Sequence, residues 1–247
     1  MRRLEVRRLG HVAYDDGLKM QAALVEERKS GVIPDTLLLL EHPHVLTLGV
    51  RGGGRRHIVA PDNRLDALGV SVFETGRGGD VTYHGPGQIV GYPILDLRPD
   101  RQDVHRYVRD LEEVLIRTCT DFGVAAGRLP GLTGTWVTGV TASIPPVAND
   151  PYVARDFSPA NPANPPTPAK IAAIGVRIAR WITSHGFAFN VNVQLSYFDL
   201  IVPCGISDKR VTSLQQILGH PVELVAVEDR LVTRFAEVFD RTVSESE

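Results

Sequence analysis

The segment from Glu74 to Asp96 constrains this chain more than any other. It sets Gly76, Gly78 and Gly79 around Arg77, runs through Val81, Thr82 and Tyr83 to His84, and turns again at Gly85-Pro86-Gly87. Glycine has no Cβ, so a backbone built this way can lie directly against a ligand beside its polar neighbours. Ile89, Val90, Tyr92, Ile94 and Leu95 then form an apolar run bounded by turn residues, the pattern of a buried strand. The expected structure is a recognition loop held between two strands.

A chain of 247 residues, 43% hydrophobic and 23% charged, has globular composition and enough length for one large domain, expected to span 1–247. A net charge of -2 supplies no global field for nucleic acid. The local cluster Arg2, Arg3, Arg7 and Arg8 is expected to be the solvated face of an edge strand. No apolar run of about 18 residues could span a membrane, and the first residues lack the apolar core of a signal peptide, so a cytoplasmic protein is expected. In that reducing compartment Cys119 and Cys204 stay thiols.

Apolar periodicity predicts a strand over residues 4 to 9 and a helix over 14 to 28 with Leu18, Ala22, Leu24 and Val25 on its inner face. Buried strands follow at Thr36 to Glu41 and Val45 to Leu48, broken at His42-Pro43-His44; this histidine pair lacks a further ligand cluster and reads as structural. Residues 51 to 56 form a basic, glycine-rich loop, a weak phosphate signal without a following helix. A long helix is predicted from Gln102 to Phe122 with Cys119 on its buried face, then strands at Val124 to Ala126 and Thr135 to Thr138. Residues 143–168 carry a proline density that excludes helix and interior strand, and read as a mobile surface insertion.

From Lys170 to Asn192 two alternating runs flank Ser184-His185-Gly186, which predicts a hairpin turning there. Ser196 is expected to cap a short helical turn, and helices near Leu214 and from Val227 to Phe239 close the chain. Without regular βαβ alternation the fold class is α+β: a mixed, largely antiparallel sheet with helices packed on it, segregated to one side.

Cys204 lies in a loop between Pro203 and Gly205, where a thiol can be exposed among free backbone amides, and is a better nucleophile candidate than the helical Cys119. A thiol of ordinary pKa, about 8.5, needs a neighbouring cation or base to become thiolate at neutral pH. Lys170, at the start of an otherwise apolar strand, is the candidate, because an ammonium drawn out of water gives up its proton more readily. A solvent-facing lysine and an inert loop cysteine are the alternative reading of the same residues.

Four segments together resemble, in order, the motifs of the octanoyltransferases of lipoate biosynthesis, the lipoyl(octanoyl) transferases. They are Arg77 through Gln88, Lys170-Ile171-Ala172-Ala173-Ile174-Gly175, Ser184 through Asn190, and Pro203-Cys204-Gly205. The similarity runs from Tyr14 through Leu214, and this chain departs from it in the insertion before Lys170. The resemblance implies a fold similar to the catalytic domain of biotin and lipoate protein ligases and an acyltransferase needing no cofactor. Its donor would be octanoyl acyl carrier protein. Its acceptors would be lysines of the lipoyl domains of 2-oxoacid dehydrogenase complexes and of the glycine cleavage H protein.

Carried over residue by residue, the same resemblance makes Cys204 the acyl-thioester nucleophile and Lys170 its base. It makes Arg77, Gly78, Gly79, Asp80, Val81, Thr82, Tyr83 and His84 one wall of the acyl pocket; Ala173, Ile174 and Gly175, with Gly186, Phe187 and Ala188, form the other. Those residue types suit an acyl slot, since each buried methylene of the tail contributes about 0.8 kcal/mol and glycines let the backbone approach its head. Two other functions stay open, an ATP-dependent lipoate or biotin protein ligase and a non-catalytic module binding acylated carrier protein.

Overall fold

The computed structural model describes residues 2–51, 54–138, 167–202 and 210–245. In chain order the elements are β1 (Arg2–His11), α1 (Tyr14–Lys29), β2 (Asp35–Glu41), β3 (Val45–Leu48), α2 (Asp62–Ala67), β4 (Ser71–Glu74), β5 (Thr82–His84) and β6 (Gln88–Ile94). They continue with α3 (Val104–Asp121), β7 (Ala126–Leu129), β8 (Leu132–Val137), β9 (Ala169–Ala179), β10 (Ile182–Asn190), β11 (Arg210–Val211), α4 (Leu214–Leu218), α5 (Leu224–Phe239) and β12 (Arg241–Glu245).

The main sheet runs β12-β1-β2-β6-β10-β9-β8-β7, with β11 added beside β9. From β2 to β7 every neighbouring pair is antiparallel; β12 and β2 flank β1 in parallel, and β11 runs parallel to β9. A mixed, mostly antiparallel sheet with packed helices is the expected class. β2 shows why the sequence demands it: Leu37 and Leu39 enter the core under α3 and α5, while Leu38 and Leu40 enter a second core that holds Leu24 of α1. Alternate side chains point to opposite faces, so a run that is apolar at every position is a strand covered on both sides. Helices therefore lie on both faces, not on one. α1 accounts for the difference, because its inner face is Tyr14, Gly17, Gln21 and Leu24, whereas Ala22 is exposed. Gly17 brings the helix onto His42: a Cβ there would sit 3.1 Å from the imidazole Cε1.

A small sheet β4-β3-β5 carries the third core, with Tyr83, Leu46, Leu65 and Leu200. β4, α2 and the closing strand β12 are too short or too polar to announce themselves by periodicity. β12 also alters the reading of the N-terminal arginines. β1 is an interior strand, and Arg8 meets Glu228 and Asp229 while Arg3 donates to Ser244. The long helix α3 starts at Asp103, whose side chain accepts the Arg106 N–H, and buries Cys119, whose thiol is pushed up to about 12 by burial.

The predicted hairpin forms as β9 and β10, but it turns at Arg180-Trp181, both with positive φ, and not at Ser184-His185-Gly186. Gly186 is needed inside β10 instead, where a Cβ would strike the Gly91 carbonyl and Pro93. The helical turn Leu195–Leu200 begins after Gln194 without the side-chain cap expected from Ser196. The proline-rich stretch from 143 to 166 lies outside the described residues. None of the described helices is long and apolar enough to cross a membrane.

Candidate active site

β9 and β10 bring the two halves of the expected pocket together by register. Ala173 pairs with Ala188, Ile174 with Phe187 and Gly175 with Gly186, and Phe187 in turn faces Gly91 of β6. A side chain at Gly91 would run into the Phe187 ring, so that glycine makes the space the ring occupies. The loop from Gly76 to Val81 then folds over β9. The Gly78 amide donates to the Val176 carbonyl at 2.9 Å, and a Cβ on Gly175 would come within 2.8 Å of the Gly78 carbonyl oxygen. The close approach anticipated from the glycines is thus between loop and strand.

Arg77 anchors this loop from below. Its Nη2 donates to the Thr47 carbonyl at 2.6 Å and to the Thr47 hydroxyl at 2.8 Å, and its Nη1 to the Gly78 carbonyl at 3.1 Å. Amides of Gly49, Val50 and Arg51 donate to the carbonyls of Asp80, Arg77 and Gly79, the last of which has φ +91. Asp80 holds the His57 ring through a 2.5 Å contact and caps the Val81 amide.

The result is a cavity of about 490 Å³, inside the range of about 300–1,000 Å³ common for small-molecule sites. Lys170 and every expected pocket residue except Tyr83 line it. Tyr83 turns into the small core, sharing a 2.7 Å hydrogen bond with His44 and stacking on Tyr197. A wider depression around α2, about 570 Å³, shares no lining residue with this cavity.

Tyr14 and the histidines in and behind the cavity wall are held neutral by their surroundings. His84 donates Nδ1–H to Gln88 Oε1 at 2.7 Å, because the Gln88 amide nitrogen is engaged with the Tyr83 carbonyl and Asn190 Oδ1. Burial, reinforced by His42 and Arg77, holds the His84 pKa down to about 3. Burial likewise lowers His42 and His185 to about 4 and raises Tyr14 to about 12. His42 donates to the Val12 carbonyl and accepts from Tyr92, each at 2.7 Å. Among the described residues no cluster could hold a metal ion.

Lys170 sits at the cavity's edge, between Trp136 of β8 and Val211 of β11 in the sheet, with its ammonium 4.7 Å from the Trp136 ring centroid. Cys204 lies outside the described residues. The chain leaves them at Val202, whose amide donates to the His57 carbonyl, and returns at Arg210 beside Ala169.

Tyr14, Trp136, Asn190 and the α3 residues Val104 and Val108 also line the cavity, though nothing in the sequence marked them as pocket residues. Val104 and Val108 fit the apolar period of α3 and so read as core. Trp136 faces Lys170 only through a pairing across a long insertion, which local pattern does not encode.

Residues 13–236 match the family model described as the lipoyl protein ligase A/B catalytic domain. An octanoyltransferase of Solibacter usitatus is 47% identical over 240 residues, covering 97% of this chain and 94% of its own. One of Myxococcus xanthus is also 47% identical over 97% of this chain, which spans 60% of that longer protein. Among solved structures, a bi-partite lipoate protein ligase from Thermoplasma acidophilum superposes with a TM-score of 0.64 at 14% identity, over 99% of this chain and 86% of the other. The last similarity shows the fold.

Proposed function

The chain belongs to the lipoyl protein ligase A/B catalytic domain family, and we propose that it is an octanoyltransferase acting through Cys204 and Lys170. It is an acyltransferase, a single catalytic domain over 1–247, that takes an octanoyl group from acyl carrier protein to a lysine of a lipoyl domain. Its acceptors are the 2-oxoacid dehydrogenase complexes and the glycine cleavage H protein, in the cytoplasm, and the reaction is the first step of protein lipoylation. The observation that carries this reading is 47% identity to octanoyltransferases across 97% of the chain.

The reaction has two acyl exchanges. The Cys204 thiol gives its proton to the Lys170 amine, and the thiolate attacks the donor thioester carbonyl; the carrier sulfur leaves, taking the proton back from the Lys170 ammonium, and an octanoyl-cysteine thioester and a neutral Lys170 remain. The acceptor lysine amine then attacks that carbonyl while Lys170 takes up its proton, an amide forms and the cysteine thiolate is released. Exchange between thioesters is close to isoenergetic, whereas amide formation runs downhill. Two features support the residue roles. Lys170 and all the expected pocket residues but Tyr83 share one cavity, and the return of the chain as β11, shortly after the segment 203–209 that carries Cys204, sets the Thr212 amide 2.9 Å from the Lys170 carbonyl.

Incubation with octanoyl acyl carrier protein in the absence of ATP, followed by intact mass, tests the proposal. An octanoyl adduct is expected on the wild type and none on Cys204→Ala; Lys170→Ala is expected to slow acylation by about 10²- to 10⁴-fold at neutral pH. A wild type that stays unmodified and acylates lipoyl domains only from free acid with ATP would be a ligase instead.

A further inference from the structure

Lys170 rests in a seat made by β8. Three features, two on that strand and one on α3 behind it, shape the seat. Gly134 has φ +117, and a Cβ there would come within 2.6 Å of the Ala172 carbonyl and 3.4 Å of the Lys170 Cε, so the bare backbone clears a path for the lysine stem. The β8 ladder against β9 shifts register between Thr135 and Trp136, bringing Trp136 opposite Lys170; such irregularities re-aim a side chain. The fully buried Glu112 carboxylate fixes the hairpin from behind, accepting the Gly134 amide at 3.1 Å and the Arg109 and Arg128 guanidinia at 2.6 and 3.0 Å. The Lys170 ammonium lies 4.7 Å from the Trp136 ring centroid.

Trp136 is buried, yet no described group accepts a hydrogen bond from its indole N–H. With its indole donor unused among the described residues, Trp136 offers the site its ring. The face of an indole is the best aromatic partner for a cation.

We infer that Trp136 is the positioning residue for Lys170: its π face holds the protonated ammonium in place, favouring the state in which the thiol proton resides on the lysine nitrogen. The inference rests on Lys170 being the base, and deepens that assignment by naming what orients it and stabilises its charged form. Trp136 also lines the cavity, and the role inferred for it here is exerted through the lysine.

Fluorinated tryptophans test this without altering shape, because ring fluorination drains the π face. The chain has two tryptophans, so the analogues are placed in a Trp181→Phe background, beside Trp136→Phe and Trp136→Leu. Two readouts are taken: the rate constants for octanoyl transfer, and competitive labelling of Lys170 by trace acetic anhydride, measured by peptide mass. Progressive fluorination is expected to lower kcat stepwise, to roughly fivefold to thirtyfold below the parent, with KM for octanoyl acyl carrier protein unchanged and Lys170 labelling raised several-fold. Trp136→Phe should recover most of what Trp136→Leu loses.

A flat fluorination series in kcat overturns the inference, whether or not labelling moves, and so does a Phe variant no better than Leu. The fluorinated proteins keep the native side-chain outline, so a failure of Trp136→Leu to fold leaves the series to decide. If the wild type forms no octanoyl adduct, the octanoyltransferase reading fails. Labelling would then still report whether the ring holds the ammonium.

Discussion

Three histidines around the cavity, His42, His84 and His185, are buried and held neutral, with pKa values of about 4, 3 and 4. None is suited to carry a proton at neutral pH, which agrees with the base role proposed for Lys170. A buried neutral imidazole also has a measurable consequence. In the unfolded chain each protonates near pH 6.5, whereas the native protein resists until about pH 3 to 4, so the unfolded state binds more protons throughout that window. Stability contributed by these groups is complete above pH 6.5 and falls as pH drops toward 4, by up to about 1.4 kcal/mol per pH unit for each histidine. Urea midpoints at pH 7 and pH 5 should show the loss, and His84→Gln should flatten it; equal midpoints for the wild type would contradict the neutral assignment. The glycine-arginine loop was legible in sequence down to its residue types. That Tyr83 would face away from its neighbours was not, because only the pairing of β5 with β3 decides which side of the strand is the cavity side.

At the scale of elements, periodicity located α1, α3, α5 and the longer strands of the main sheet, and it failed where local residues serve a distant contact. Ser184-His185-Gly186 has turn composition but lies inside β10, since Gly186 must let β6 approach. The true turn, Arg180-Trp181, has two positive-φ residues that no turn preference selects. Trp181 is retained by packing against the main core and by its carbonyl, which accepts the Leu97 amide. Arg180 is exposed at φ 52 and has no such compensation. Arg180→Gly should therefore stabilise the protein by about 0.5–1 kcal/mol, the relief of left-handed strain exceeding the entropy glycine adds to the unfolded chain. Thermal unfolding measures it, and an unchanged or lowered Tm would show that the turn is unstrained.

For the whole molecule, one buried carboxylate ties together segments that the sequence keeps far apart. Asp35 on β2 accepts the Arg241 Nε of β12 at 2.9 Å, the Arg28 Nε of α1 at 2.8 Å and the Asp96 amide at 3.0 Å. Removing such a partner leaves buried cations uncompensated, a loss of about 3–5 kcal/mol. Asp35→Ala should lower the unfolding free energy from urea titration by that amount and release β12 first, seen as hydrogen exchange at Arg241–Glu245; a change below about 1 kcal/mol would show that the cluster is dispensable. The same global arrangement sets α1 on the face opposite α3 and α5, and so converts a sheet with helices expected on one side into one covered on both.

From the amino-acid order alone came the fold class, the principal strands and helices, and the residue types of the pocket, because apolar spacing and missing Cβ atoms act locally and survive in any context. The tertiary structure alone decided which of those residues share a cavity, that β12 closes the sheet on β1, and that Lys170 lies over the Trp136 ring. The physical reason is register. A strand offers its two faces equally until its neighbours are chosen, and those neighbours come from segments whose separation along the chain carries no record of their pairing.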